Sequence, residues 1–323
     1  MKKSNNFVSF LKEKPIYGLV VLLFGASAFI PYFLTGPNLL NIMKQSSDLI
    51  IISCGLTFVL LNGGIDFSVS AVLGCSSIVG AYLMNLDNGL LKDSPLNVPV
   101  TILVMLLVGL LIGTINGFAV TKLKMPSFMA TIATNFIFGG LALGLANSNP
   151  VSNLPDSFKF IGNGNIAGIP MPFIIAIVVM AALQFVLFKT LFGKWVYAVG
   201  TNQRASRVTG IPVKKTILGI FLLSSGIVTI GSMISTARMG VGMPALGVER
   251  FVDFISAAVL GGTSIYGGAG SIVGTFIGAI FVSVLANALG MLGVPWYYIT
   301  VSKGAIVLII ALVNSIKYMG KKD

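Results

Sequence analysis

The sequence predicts an all-α polytopic membrane protein, and three observations carry that prediction. The chain is 55% hydrophobic and 9% charged, with a mean hydropathy of +0.96, which is far from the balance of a soluble domain. Its apolar residues fall into about ten runs, each near the ~20 residues that a ~30 Å hydrocarbon core requires. The basic excess, 21 Lys and Arg against nine Asp and Glu, collects in alternate connections between those runs.

Taken in order, the basic segment 1–15 (Lys2, Lys3, Lys12, Lys14) precedes a first run at 16–34. Ala26-Ser-Ala28 before Phe29 loosely fits a signal-peptidase site. The run is longer than a usual signal core and further spans follow, so it reads as the first crossing. The second and third runs, 40–61 and 67–86, are separated by Asn62-Gly-Gly-Ile-Asp66. Gly63 and Gly64 break the helix there, and Asp66 is placed to cap the next one, near its positive dipole end; a role in a transport path is the alternative. Asn, Pro and Gly mark 87–97 as a loop. Runs 98–121 and 127–146 follow, joined through Lys122 and Lys124, and Gly109, Gly113 and Gly117 recur four apart. That spacing suits close backbone packing, within the chain in preference to a dimer seam. A second long connection, 147–171, leads to run 172–192. Beyond 193–214 lie runs 215–237, 251–268, 271–292 and 297–316 and the basic tail 317–323. Gly270, Gly274 and Gly278 repeat the four-residue spacing. Asp48, Asp66 and Asp253 lie in or beside the second, third and eighth runs and weaken their apolar signal.

The whole chain, 1–323, thus reads as a single membrane domain. With an even number of crossings and both termini in the cytoplasm, fifteen basic residues fall inside and four (Lys92, Lys159, Arg238, Arg250) outside. That bias fixes the orientation and explains the net charge of +12 without nucleic acid. Crossings 2–5 and 7–10 then start on opposite sides, a parity that would make them inverted repeats. Ala71-Val-Leu-Gly74 echoes Ala258-Val-Leu-Gly261.

The densest charge lies between Lys189 and Lys215, with Lys189, Lys194, Arg204, Arg207, Lys214 and Lys215 and no acid. Inside it, residues 202–212 have the marks of a short bounded helix. Asn202 caps its start, Gly210 suits a left-handed position after its end, and Pro212 prevents continuation. A cationic surface helix of this kind reads as a docking element for a cytoplasmic partner.

Chemistry is sparse. There is no His, which removes imidazole catalysis and the usual zinc sites. Cys54 and Cys75 lie in apolar runs and read as buried thiols. No Walker A pattern occurs and no nucleophile–base set appears, so neither enzyme activity, cofactor nor metal is expected. Three scattered Asp residues form no ion-coupling relay. Asn62, Asn116, Thr131, Thr134 and Asn135, with Asp66 and the aromatic Phe128, offer amides, hydroxyls and a ring face that suit a neutral polyhydroxylated solute. An ion-coupled secondary transporter acting alone, and a membrane scaffold without transport, are the alternatives.

Four segments together resemble a known family. Asn62-Gly-Gly-Ile-Asp-Phe-Ser-Val-Ser70 is similar to the G-I-D-L-S-V-G signature of permeases in ribose/xylose/galactose-type ABC importers, a branched-chain-type binding-protein-dependent permease family. Lys122-Leu-Lys-Met-Pro-Ser-Phe128 resembles their K-[LF]-[KG]-V-P-[PS]-F segment. Tyr197-Ala-Val-Gly-Thr-Asn202, continuing through Ala205, Arg207, Gly210 and Ile211, resembles their Y-A-[IV]-G-x-N loop. Leu260-Gly-Gly-Thr-Ser264, with Gly267-Gly268 and Gly270 to Gly278, resembles their glycine-rich block. The resemblance spans about 40–315; Ser70 stands where the family has Gly, and Tyr266 and Ala269 vary the glycine-rich turn. It implies a type II importer architecture like that of the vitamin B12 permease, in the bacterial cytoplasmic (inner) membrane. Two permeases would pair with two cytoplasmic ATPases that hydrolyse ATP and with an extracytoplasmic solute-binding protein. The solute would be a monosaccharide, ribose first among them. It also implies that 193–214 is the coupling loop, with Asn202, Arg204, Ala205, Arg207, Val208 and Gly210 meeting the ATPase.

Overall fold

The computed structural model describes residues 15–319; Lys2, Lys3, Lys12, Lys14, Lys321 and Lys322, expected in cytoplasmic segments, lie outside the described residues. The chain runs through α1 (Pro15–Ser27), α2 (Gly36–Leu61), α3 (Val69–Met84), α4 (Asn97–Thr121) and α5 (Ser127–Leu145). The short α6 (Asp156–Asn163) and the hairpin β1 (Asn165–Ile166) and β2 (Ile169–Pro170), with Asn165 opposite Pro170, lead to α7 (Met171–Lys189). Then come α8 (Leu191–Thr201), α9 (Gln203–Val208), α10 (Val213–Met239), α11 (Phe251–Leu260), α12 (Ile272–Met291) and α13 (Trp296–Met319). Among the described residues, α2, α4, α5, α7, α10 and α12 are long and apolar enough to cross a membrane. The protein is an all-α polytopic membrane protein.

Two apolar runs form shorter helices than expected. The run 16–34 is helical only to Ser27. Pro31 has no N–H to extend a helix, Tyr32 sits at φ 64°, and Gly36-Pro37 starts the next helix. The run 251–268 is helical only to Leu260. Gly261 and Gly262 end it, and Gly262, Gly267, Gly268 and Gly270 all hold positive φ, which side-chain-bearing residues rarely adopt. At 1.5 Å per residue α11 is about 15 Å long, half the depth of a bilayer core. The segment expected as a coupling loop, 193–214, is largely helical, since α8 and α9 occupy most of it.

α2 is the axis. Every residue from Ser46 to Leu61 is buried, and α7, α10, α11 and α12 pack around it. The glycine rows are seams between helices of this chain. A Cβ on Gly109 would lie 1.9 Å from Thr229 Oγ1, and one on Gly113 2.8 Å from the Phe221 carbonyl oxygen, both on α10. Likewise a Cβ on Gly278 would lie 2.0 Å from the Ala257 carbonyl of α11. Small hydroxyls join further helix pairs: Thr57 Oγ1 of α2 and Thr275 Oγ1 of α12 are 2.7 Å apart, and Ser76 Oγ of α3 donates to Ser232 Oγ of α10 at 2.9 Å. In an apolar solvent, close backbones and hydroxyl pairs supply the cohesion that hydrophobicity cannot. Cys54 and Cys75 are free and buried. Leu103, Leu107 and Leu111 form an exposed apolar stripe along α4, as a lipid-facing helix requires.

Candidate coupling and translocation site

The basic helix α9 is built by local rules. Asn202 Oδ1 accepts from the backbone N–H of Arg204 and of Ala205, each at 2.9 Å, which satisfies two of the orphan donors at a helix start. Gly210, at φ 82°, turns the chain after Thr209, and the Ile211 N–H closes back on the Ser206 carbonyl at 3.0 Å. Ser206 is the buried anchor of this turn; Arg204, Ala205, Arg207 and Val208 are exposed, Val208 86% so. An apolar side chain that exposed, next to Arg207 and one turn after Arg204 on a short capped helix, presents a mixed apolar and cationic surface.

α8 ties this helix to the core through a joint made almost wholly of backbone. The Tyr197 hydroxyl donates to the Gly270 carbonyl at 2.6 Å, and the Gly268 N–H donates to the Leu61 carbonyl at 2.8 Å. A Cβ on Gly200 would lie 1.8 Å from the Leu61 carbonyl oxygen, and one on Gly267 2.7 Å from the Gly200 carbonyl oxygen. The end of α8, the end of α2 and the glycine-rich turn after α11 therefore meet at close backbone contacts, with the Tyr197 and Thr201 side chains of α8 against the turn. These contacts connect α9, through α8, to the turn that follows α11.

The predicted pathway residues separate into two groups. Asp66, Asn116 and Thr131 are buried and stitched together. Asp66 Oδ1 accepts from the Ser68 N–H and from the Ser68 hydroxyl; Asn116 Nδ2 donates to Ser68 Oγ at 2.8 Å. Thr134 Oγ1 donates to Asn116 Oδ1 at 2.8 Å, and the Phe67 N–H donates to Thr131 Oγ1 at 3.1 Å. This chain binds the 62–68 connection to α4 and α5. Asp66 thereby forms a turn with Ser68, the cap position of α3 two residues on, instead of capping the helix directly. Phe128 and Asn135 flank Thr131 on the same face of α5 and are more open, Phe128 47% exposed. Asn62 is buried, and its Oδ1 has no hydrogen-bond partner among the described residues.

The least legible part in sequence is an ion network. Asp48, fully buried, accepts from Arg250 at 2.6 and 3.2 Å, from Arg238 at 3.1 Å and from the Ser235 hydroxyl at 2.7 Å. Lys303 Nζ lies 2.8 Å from Asp253 Oδ2. Sequence placed Arg238 and Arg250 in a connection and Asp48 and Asp253 in or beside apolar runs, with no partner assigned to either acid. Acids inside apolar runs were the available signal, since such groups require partners.

Comparison with known proteins follows the same lines. The family model described as branched-chain amino acid transport system / permease component matches residues 38–312. The chain is 39% identical to the ribose import permease protein RbsC of Bacillus subtilis, covering 94% of this chain and 92% of that protein. It is 34% identical to the ribose import permease protein RbsC of Haemophilus influenzae (97% and 95%). It is also 34% identical to the D-allose transport system permease protein AlsC of Escherichia coli (95% and 93%). No solved structure matches the chain.

Proposed function

Since this chain belongs to the branched-chain amino acid transport system / permease component family, we propose that it is the membrane permease of an ATP-driven importer for ribose or a closely similar monosaccharide. It is a multi-pass protein of the bacterial inner membrane, and it is not itself the ATPase. In this reading α1–α5, α7 and α10–α13 make ten crossings with both termini in the cytoplasm, and α6, α8 and α9 lie outside the lipid. The fold is that of a type II importer permease, with crossings 2–5 and 7–10 as inverted repeats. Short α3 and shorter α11 occupy corresponding third and eighth places, the pattern by which transporters of this kind mark a central site. The permease works as a pair, with two cytoplasmic ATPases below and an extracytoplasmic binding protein above.

The observation that carries the proposal is the capped, cationic α9 joined by backbone contacts to the turn after α11. Val208 and Ala205 pack into a groove of the ATPase while Arg204 and Arg207 meet its acceptors. Closure of the ATPases on ATP then moves α8 and α9 as one body and switches the paired permeases between inward- and outward-facing states. Asn202 and Gly210 keep the helix intact. The linked residues Asp66, Asn116 and Thr131 hold the inner end of the path in shape, beside Asn62, Phe128 and Asn135.

Reconstitution with the candidate ATPase and binding protein tests this directly. Labelled ribose uptake should require ATP and all three components; uptake by this chain alone, driven by an ion gradient, would overturn the assignment. Charge reversal at Arg204 and Arg207 together should abolish uptake or ATPase co-purification while the permease still inserts.

A further inference from the structure

A cavity of about 680 Å³ opens between α2, the 243–250 segment, α12 and α13. Leu49, the fourteenth of the 26 residues of α2, lines it beside the buried Asp48, so the cavity reaches the middle of the most buried helix. The wall formed by Met243, Ala245, Leu246, Gly247, Val248 and Glu249 is irregular backbone. This irregular segment lines an open cavity, where water can satisfy the backbone groups that no helix pairs. α11 begins at its edge, beside Arg250.

The lining is also chemically distinctive. Arg238, Arg250 and Lys303 balance Asp48, Asp253 and Glu249, so the cleft is rich in donors and acceptors without a net charge to attract ions. Asp48 holds the Arg250 guanidinium in place, and that side chain is still 33% exposed. Glu249 has no ion-pair partner and Ser283 no hydrogen-bond partner among the described residues. Leu49, Met239 and Val282 supply apolar wall. Fixed polar groups beside apolar surface are what the hydroxyls and C–H faces of a sugar ring require.

We propose that this cleft is the solute's transit site in the permease, with Arg250, Lys303, Glu249 and Ser283 meeting the hydroxyls of an uncharged polyhydroxylated solute. The proposal rests on the importer reading and makes α11 its moving wall: one end lines the cleft, the other joins the turn that contacts α8. Phe67 stacks on Phe251 at 5.0 Å, so the cleft adjoins the Asp66 network.

The test uses the permease reconstituted with its ATPase and binding protein. Ala286→Trp, on α12 facing the cleft and outside the ion pairs, should cut ATP-dependent ribose uptake at least tenfold with ATPase co-purification unchanged; a smaller loss overturns the proposal. Should that variant fail to assemble, Ala286→Cys replaces it. Cys54 and Cys75 are buried, so an impermeant methanethiosulfonate added outside should label only the introduced thiol and block uptake until dithiothreitol restores it. Absence of labelling, or full uptake after labelling, overturns the transit site. Absence of ATP-dependent sugar uptake by the unsubstituted assembly instead sinks the importer reading itself, so the two failures are distinguishable.

Discussion

Asp48 shows what one residue controls. Its carboxylate is the common acceptor for Arg238 on α10 and Arg250 ahead of α11. Asp48→Asn keeps the shape and removes the charge, leaving two guanidinium groups without their counter-ion. Breaking a buried pair in this way is destabilising by about 3–5 kcal/mol, so thermal denaturation in detergent should show a clearly lowered midpoint. Gly200→Ala acts differently, because its Cβ would fall 1.8 Å from the Leu61 carbonyl oxygen and backbone cannot swing aside. The expected result is normal insertion with uptake strongly reduced in a transport assay. At this scale sequence was informative where the rule is local. The Asn202 cap and the Gly210 turn each depend on residues within a few positions. The partners of Asp48 stand 190 and 202 positions away, and no spacing rule reaches that far.

Among the elements, α9 and α11 divide the work. α9 is six residues long, too short to persist without its cap. Asn202→Ala removes both side-chain acceptor contacts and should weaken the helix by about 1 kcal/mol. Co-purification of the ATPase with that variant should fall, while thermal stability of the permease core should change little. The run 251–268 was expected to be helical throughout because apolarity alone was read, yet α11 ends at Leu260; Ile265 and Tyr266 continue the apolar signal after the helix has stopped. The glycines at 261, 262, 267, 268 and 270 were visible in sequence. Their meaning lay in how closely the ends of α2 and α8 approach them, which is a tertiary fact. Apart from this run and the first, which stops at Ser27, span positions were legible to within a few residues, since lipid demands long apolar helices and little else satisfies it.

For the molecule as a whole, the five ionised groups that line the cleft and the buried Asp48 behind them, three cationic and three anionic, sum to zero. An elementary charge carried across 100 mV requires about 2.3 kcal/mol. Alternating access that moves a balanced set with a neutral sugar performs almost no electrical work. Import should therefore proceed at the same rate in polarised and depolarised vesicles when ATP is held constant, as an uptake assay with and without a potassium diffusion potential would register. Glu249→Gln leaves the set one positive charge in excess, and uptake by that variant should acquire a dependence on voltage. With the cleft as transit site, its paired carboxylates and guanidiniums would insulate sugar supply from the energetic state of the membrane, so that a cell whose membrane potential has collapsed could still feed on whatever ATP it has left.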